Sequence, residues 1–382
     1  MTTELFEPDL SDITTSESTK HTHTTTTSNG SPTERRVNEK IWLIKEIIQP
    51  DLPSILDTIR ECIDLLNSNQ IFNLPISNGG GKPLSEFPNE LDIPSSLLTS
   101  GDKPSIQGIV VRQGVFVLDI RLVASFPNFR KGKPMNFKRS GGSTMGDLSS
   151  QKFPILQLQL IDTTLVKIEK SLNGLKFIEA GGKIEDFERV FLETLRDTEY
   201  ITGLLERAPS EVVFPLSGNR LVKNFFHRDY KMLCESNHHM LSLDLTLLED
   251  SISVDLKNLD KVVKRPWCDV DAQSGLSKVD KIRQQLHSES DEELKGVLER
   301  NDIYVMEPSG MINFIHSTFN TERTTLEQAR FHVLNCATFD NCVVTVIGEL
   351  KVTASDPNLI DLNTKLKALN GKIRNHYDNL IA

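Results

Sequence analysis

The chain predicts an α+β protein, with an antiparallel helical bundle closed by its two termini and a separate antiparallel β domain. Apolar residues recur at 3/4 spacing in five separated stretches, most strictly over residues 158–178. Alternating strand patterns flank short turns at 106–124 and 241–256. No catalytic motif of comparable clarity occurs in the 382 residues.

Residues 1–37 read as a disordered tail. Thirteen of the 21 residues from 11 to 31 are Ser or Thr and only Ile13 is apolar, so nothing there offsets the entropy of ordering. His21 and His23 fall in this low-complexity stretch and read as incidental to it, not as a metal tract. From Asn38 a helical period runs through Ile41, Ile44 and Ile48, then Leu52, Ile55, Ile59, Cys62 and Leu66. Pro50 and Pro53 predict a break, with one helix ending near Gln49 and another capped by Asp51. Residues 73–104 are Pro, Gly, Ser and Asn-rich and read as a loop. Its Gly79-Gly80-Gly81-Lys82 run lacks the spacing of a phosphate-binding loop and precedes Pro83.

Residues 106–124 read as a hairpin about Gln113-Gly114. A linker follows, carrying Arg130, Lys131, Lys133, Lys138 and Arg139 between Phe129 and the helix beyond, with no acid among 130–139. This basic run is the candidate surface for an anionic partner, against the plainer reading of a solvated connection. Leu158, Leu165 and Leu172 stand seven apart, and Ile161, Ile168 and Leu175 repeat the interval three residues on. All six lie on one stripe of a helix expected to run from near Pro154 to Gly181-Gly182. Ile184, Phe187, Phe191, Thr194, Thr198, Ile201 and Leu205 continue the spacing, which predicts an αα-hairpin joined by a tight glycine turn.

Strand signals return at 211–214 and, as a hairpin with one buried face, at 241–256. Residues 264–300 are highly charged and read as a flexible insertion. Within it Ser290 is followed by Asp291, Glu292 and Glu293, a candidate site for an acid-directed kinase. Residues 311–315 and 326–334 look like short strands. From Thr338 the residues Phe339, Cys342, Val343, Val346, Ile347 and Leu350 fit a helix face, and helix is the expectation there. After Asp356-Pro357 a last helix carries Leu359, Leu362, Leu366, Leu369 and Ile373.

Composition narrows the function classes. The 38% hydrophobic content supports ordinary cores, and a formal charge of −10, from 53 acids against 43 bases, disfavours non-specific binding to nucleic acid. No apolar run approaches the roughly 18 residues of a membrane span. The N-terminus lacks a signal-peptide core, and the final Asn379-Leu380-Ile381-Ala382 is no prenylation box. Cys62, Cys234, Cys268, Cys336 and Cys342 are odd in number and widely spaced, which predicts reduced thiols in an intracellular protein. His227, Cys234, His238 and His239 crowd together without zinc-ligand spacing, and neither GxSxG nor a Cys–His arrangement is present. The expectation is therefore a protein without catalytic residues, cofactor or metal.

Separated blocks of this chain resemble, in order, the Rogdi family. They comprise Trp42-Leu43 through Leu66, Phe72-Asn73-Leu74-Pro75, the strand from Ile106 to Leu122, the heptad helix, residues 211–215, the hairpin at 241–259, and Leu326 through Cys336 to Leu350. Fungal members are the small subunit of the RAVE complex, the regulator of the vacuolar and endosomal membrane proton-pumping ATPase. The resemblance implies an elongated two-domain protein. Its bundle would comprise 38–72, 152–208 and 338–382, its β domain 105–126 and 209–337, with flexible loops at 73–104, 127–151 and 264–300. It also implies a non-catalytic assembly factor that binds the large propeller-bearing RAVE subunit, a Skp-type adaptor through that subunit, and peripheral-sector subunits of the pump. Such a protein would be cytoplasmic and recruited to vacuolar and endosomal membranes. Two other readings stand beside it: a trafficking tether that reaches anionic lipid through 130–139, and a homodimer zipped through the heptads. Internal burial of the heptads is favoured, because other amphipathic helices of the same chain are available to cover them.

Overall fold

The computed structural model describes residues 32–78, 104–137, 152–226, 239–288, 290–306 and 324–382. It is an α+β fold containing two antiparallel sheets. The first helix begins earlier than expected, at Pro32, and the prolines do not break it. Helix α1 (Pro32–Leu43) passes through a π-helical turn (Ile44–Ile48) into α2 (Gln49–Leu66). The Gln49 N–H reaches back to the Ile44 carbonyl, and this widened turn takes up the misfit that Pro50 brings to an α-helical ladder.

Chain expected to be loop then forms an edge strand. Strands β1 (Ile71–Ser77), β2 (Ser105–Gln113), β3 (Phe116–Ser125) and β4 (Met135–Phe137) make the first sheet in that order, and β5 (Phe153–Pro154) pairs with β3. The expected hairpin is β2–β3. Helix α3 (Leu156–Asn173) ends well before Gly181-Gly182, and Leu175 lies past its end. A connection through Gly181, at φ +83°, leads to α4 (Ile184–Glu206).

Residues 210–214 are not a strand. They form a 3-10 turn (Ser210–Val212) leading to the short helix α5 (Arg220–Phe225). Strands β6 (His239–Leu248) and β7 (Ser251–Lys261) form the second expected hairpin. The supposed loop at 264–300 holds two helices, α6 (Lys278–Gln285) and α7 (Asp291–Arg300). Helix α8 (Leu326–Asn335) replaces the strand expected at 326–334. Conversely, strands β10 (Cys336–Phe339) and β11 (Cys342–Ser355) replace the helix expected from Thr338. Short strands β8 (Val305–Met306) and β9 (Thr324–Thr325) pair in parallel between α7 and α8. Helix α9 (Pro357–Ile381) is the last element, and the Asp356 side chain caps it.

Each reversal has a local cause. Thr325 and Gln328 form a reciprocal capping box that starts α8, and Ser277 with Asp280 does the same for α6. Asp340 and Asn341 both take positive φ, 52° and 64°, the geometry of a tight hairpin turn, so the β-branched run after Cys342 pairs back as a strand.

Helices α2, α3, α4 and α9 pack as a closed ring, with α2 and α4 each touching both α3 and α9. One continuous core runs from this ring into the first sheet and onto the Leu241, Leu243, Leu245 and Leu247 face of β6. The opposite face of β6 is also covered: Ser242 and Asp244 are buried, beside the 3-10 turn and α5. A second core gathers Trp267 with apolar residues of α6, α7 and α8 against the β10–β11 turn region.

Candidate interaction surfaces

The heptad residues face inward. Leu158, Ile161, Leu165, Ile168 and Leu172 are at most 2% exposed, on the side of α3 that meets α2 and α4, whereas Leu175 packs part-buried against the same core. A stripe with that little accessible area offers no seam to a second copy in this conformation.

Polar groups in the interior fix how the elements meet, and most of them carry no local sequence signal. Gln157 is 1% exposed, next to Leu158 of the seam. Its amide donates to the Leu204 carbonyl at 2.6 Å, and its oxygen accepts the Leu247 N–H at 2.8 Å, so one side chain joins α3, α4 and β6. Arg112 occupies a core-facing position of β2, in phase with Ile106 and Val110. Its Nε donates to Asp356 Oδ2 at 2.5 Å, another guanidinium nitrogen donates to the Gly114 carbonyl, and the Phe72 ring lies 5.2 Å away. Asp356 meanwhile accepts the Asn358 N–H at 3.0 Å as the cap of α9. One buried ion pair therefore links the first sheet to the β11–α9 junction.

Three further carboxylates show how surroundings set charge. Burial alone would raise the Asp51 carboxyl, but hydrogen bonds from Lys372 at 2.6 Å and His376 at 2.8 Å, with their charge, hold it below its ordinary value. Burial pushes the Asp244 carboxyl up, against the hydrogen bond that the Phe214 N–H donates to it at 2.7 Å. Asp255 lies directly across the β6–β7 ladder, and desolvation raises it as well.

The basic run is only partly within the described residues. Arg130 and Lys131 sit in a 3-10 turn with φ of 51° and 59°, followed by Lys133, while Lys138 and Arg139 lie outside the described residues. Phe129 and Phe137 on either side are buried and anchor this turn, Phe129 edge-on to His239 at 5.4 Å.

Ser290 is the exposed N-cap of α7, its hydroxyl accepting the Glu293 N–H at 3.3 Å. Asp291, Glu292 and Glu293 fill the first turn, where the helix dipole favours acids. What read as a charged insertion is thus the start of a helix whose other face, Leu294, Val297 and Leu298, is core. Helices α6, α7 and α8 leave an open cleft of about 400 Å³ among Leu286, Leu294, Val333 and Leu334.

The candidate chemical clusters come apart. His227, Cys234 and His238 lie outside the described residues, and His239 opens β6. Cys336 faces Thr345 and Cys342 faces Phe339, so the two cysteines are not opposite one another. Burial pushes the Cys62 thiol up to about 12 and raises Cys336 despite its contact with Thr345, so neither is an activated thiolate. Among the described residues no group of three or more His, Cys, Asp or Glu could hold a metal ion. Nor is any described helix long and apolar enough to cross a membrane.

These features define an α+β protein with an internal, zipper-like helical seam. The chain belongs to the Rogdi family: the model of the Rogdi leucine zipper containing protein matches residues 39–381. It is 35% identical over 346 residues, 91% of this chain and 91% of the relative, to Regulator of V-ATPase in vacuolar membrane protein 2 of Saccharomyces cerevisiae (strain ATCC 204508 / S288c).

Proposed function

We propose that this chain is a non-catalytic assembly factor for the vacuolar-type proton-pumping ATPase, acting as the small subunit of a RAVE complex. The alignment along 91% of both chains with a yeast regulator of that pump carries the reading. The buried seam agrees with it, because a rigid scaffold leaves the outer faces of its helices and sheets free for partners. Such a protein works by binding one assembly state of the pump better than another, since only differential affinity shifts an equilibrium. Its partners would be the large propeller-bearing subunit, through it a Skp-type adaptor, and peripheral-sector subunits, met at vacuolar and endosomal membranes from the cytoplasm. Ser290 is the proposed point of phosphorylation: a phosphate there lies at a helix N-terminus, where negative charge is favoured, and phosphopeptide mapping of the native protein checks it.

Affinity purification of the tagged chain from its native cells tests the function. Recovery of the large subunit together with peripheral pump subunits is expected. Recovery of neither, with normal vacuolar acidification in a deletion strain at elevated pH and calcium, overturns the proposal.

A further inference from the structure

Arg130, Lys131 and Gly132 take three successive left-handed conformations, with φ of 51°, 59° and 71°. Glycine enters that region freely. For Arg and Lys it is costly, and neither has the short polar side chain with which Asn or Asp offsets the cost. Such a conformation persists only where its surroundings impose it, and it is most often kept where a function uses it. Here the surroundings are plain. Phe129 and Met135 on either side are 3% and 1% exposed, the Phe129 carbonyl accepts the Gly132 N–H at 3.0 Å, and β4 pairs with the end of β3. From this fixed backbone Arg130, Lys131 and Lys133 stand exposed. None of the three pairs with an acid among the described residues, whereas Arg121 and Lys167 hold Asp119 and Asp197. Behind Phe129 lie His239, its ring edge-on at 5.4 Å, and Asp260, 3.8 Å from His239, and neither bonds the three bases.

Unpaired cations on a strained, anchored turn call for an anionic partner, and the kinds of partner differ in what else they need. A protein interface draws its energy from apolar or aromatic anchors. At this turn Phe129, Met135 and Phe137 all point inward and are at most 3% exposed, so the turn offers charge alone. Lipid headgroups move in the plane of the leaflet, gather at whatever spacing the cations have and require no anchor. We infer that this turn contacts an anionic lipid leaflet, with Arg130, Lys131 and Lys133 meeting the headgroup phosphates and carboxylates. The chain as a whole carries −10, which such a leaflet repels. Charge is screened beyond about 8 Å in physiological salt, however, so the sign of the surface turned toward the membrane decides. The contact involves lipid and this chain alone, and it stands or falls apart from the assembly role.

Vesicle flotation of the purified full chain, without any pump subunit, tests the inference at about 0.15 M salt. The chain should float with vesicles of phosphatidylcholine mixed with phosphatidylserine and not with phosphatidylcholine alone. Each base near such a surface contributes about fivefold to binding, so Arg130→Gly/Lys131→Gly should weaken it about twentyfold. The same glycines relieve the left-handed strain, so the urea midpoint should hold or rise. Binding that falls while stability does not marks side chains kept for a contact. Lys170→Ser/Lys367→Ser removes equal charge from exposed sites elsewhere and should leave flotation within about twofold. Flotation with neither vesicle or equally with both, binding indifferent to the glycine pair, an equal loss in the Lys170 and Lys367 control, or a urea midpoint lowered by the glycines overturns it. So does capture of the chain by immobilised polyglutamate where mixed vesicles capture none, which would assign the turn to an acidic polypeptide.

Discussion

Replacing Asp356 with Asn isolates the buried ion pair that links the first sheet to α9. Arg112 and Asp356 are 1% and 0% exposed, so solvent does little to screen either charge. Asparagine keeps an oxygen for the Asn358 N–H and is as good an N-cap as aspartate, so the helix start survives. What is lost is the partner of the guanidinium. Breaking a buried pair costs about 3–5 kcal/mol, because one charge is left without compensation. Arg112 retains its bond to the Gly114 carbonyl and its place against the Phe72 ring, which puts the expected cost of Asp356→Asn near the lower end, about 3 kcal/mol. Arg112→Met should cost a similar amount, since it leaves the Asp356 carboxylate buried. The double variant should recover much of the loss, giving a coupling of about 2–3 kcal/mol in a double-mutant cycle. Urea unfolding followed by circular dichroism, with unchanged m-values, reads all four corners. Single costs that add to within about 0.5 kcal/mol would refute the claim that the two charges depend on one another.

Leu165→Ala should destabilise by about 2–5 kcal/mol through the cavity it leaves, with no change of molar mass in light scattering; conversion of a dimer to a monomer would refute the internal seam. Gly348→Ala should cost about 1–3 kcal/mol in the same unfolding assay, because a Cβ there comes within 2.9 Å of the buried Phe126 ring at the bulge in β11. The folded state lowers the Asp51 carboxyl, so its stabilisation is present above the ordinary carboxylate value and is lost as pH falls through the lowered one. Asp51→Asn should flatten the fall of the thermal midpoint below about pH 4, and an unchanged acid limb would contradict the Lys372 and His376 contacts. Ser290→Ala should lower stability by about 1 kcal/mol through loss of the α7 cap, with Ser290→Asp restoring most of it.

Periodicity found the parts of the fold that bury one continuous stripe or one alternating face. The ring helices α2, α3, α4 and α9 and the hairpins β2–β3 and β6–β7 are of that kind. It failed where a pattern was compatible with two structures. Phe339, Cys342, Val343, Val346 and Ile347 fit a helical face, yet only an Asp340-Asn341 turn decides that the segment folds back as β10–β11, and such a turn is two residues long. The helices at 278–300 escaped notice because their polar faces dominate the composition, although the Ser277 and Ser290 caps were readable signals. Alternation along β6 predicts one buried face, whereas the 210–226 segment covers the other face as well and Asp244 receives the Phe214 N–H. Gln157, Arg112 and Asp356 could be marked only as polar residues in phase with core positions. Their partners are 47 to 244 residues away in sequence, a separation no local pattern encodes.

The position of the seam determines which substitutions report on partner binding. A loss of 2–5 kcal/mol at Leu165 is a large fraction of the roughly 5–15 kcal/mol that holds a typical domain folded. A seam variant that fails to recover pump subunits would therefore report unfolding, and the leucine repeat cannot be assigned a partner by that route. Large apolar side chains that the fold leaves in solvent behave differently. Trp42 on α1, Leu216 before α5 and Tyr304 after α7 are 59%, 62% and 71% exposed, and trimming any of them should change stability by no more than about 0.5 kcal/mol. Interfaces draw most of their energy from a few buried aromatic or apolar anchors, so a docking face that contains Trp42 or Tyr304 loses about 2 kcal/mol or more of binding when that residue becomes Ala. Stability held constant while binding falls is the signature of a contact, and only residues of this exposed kind can produce it.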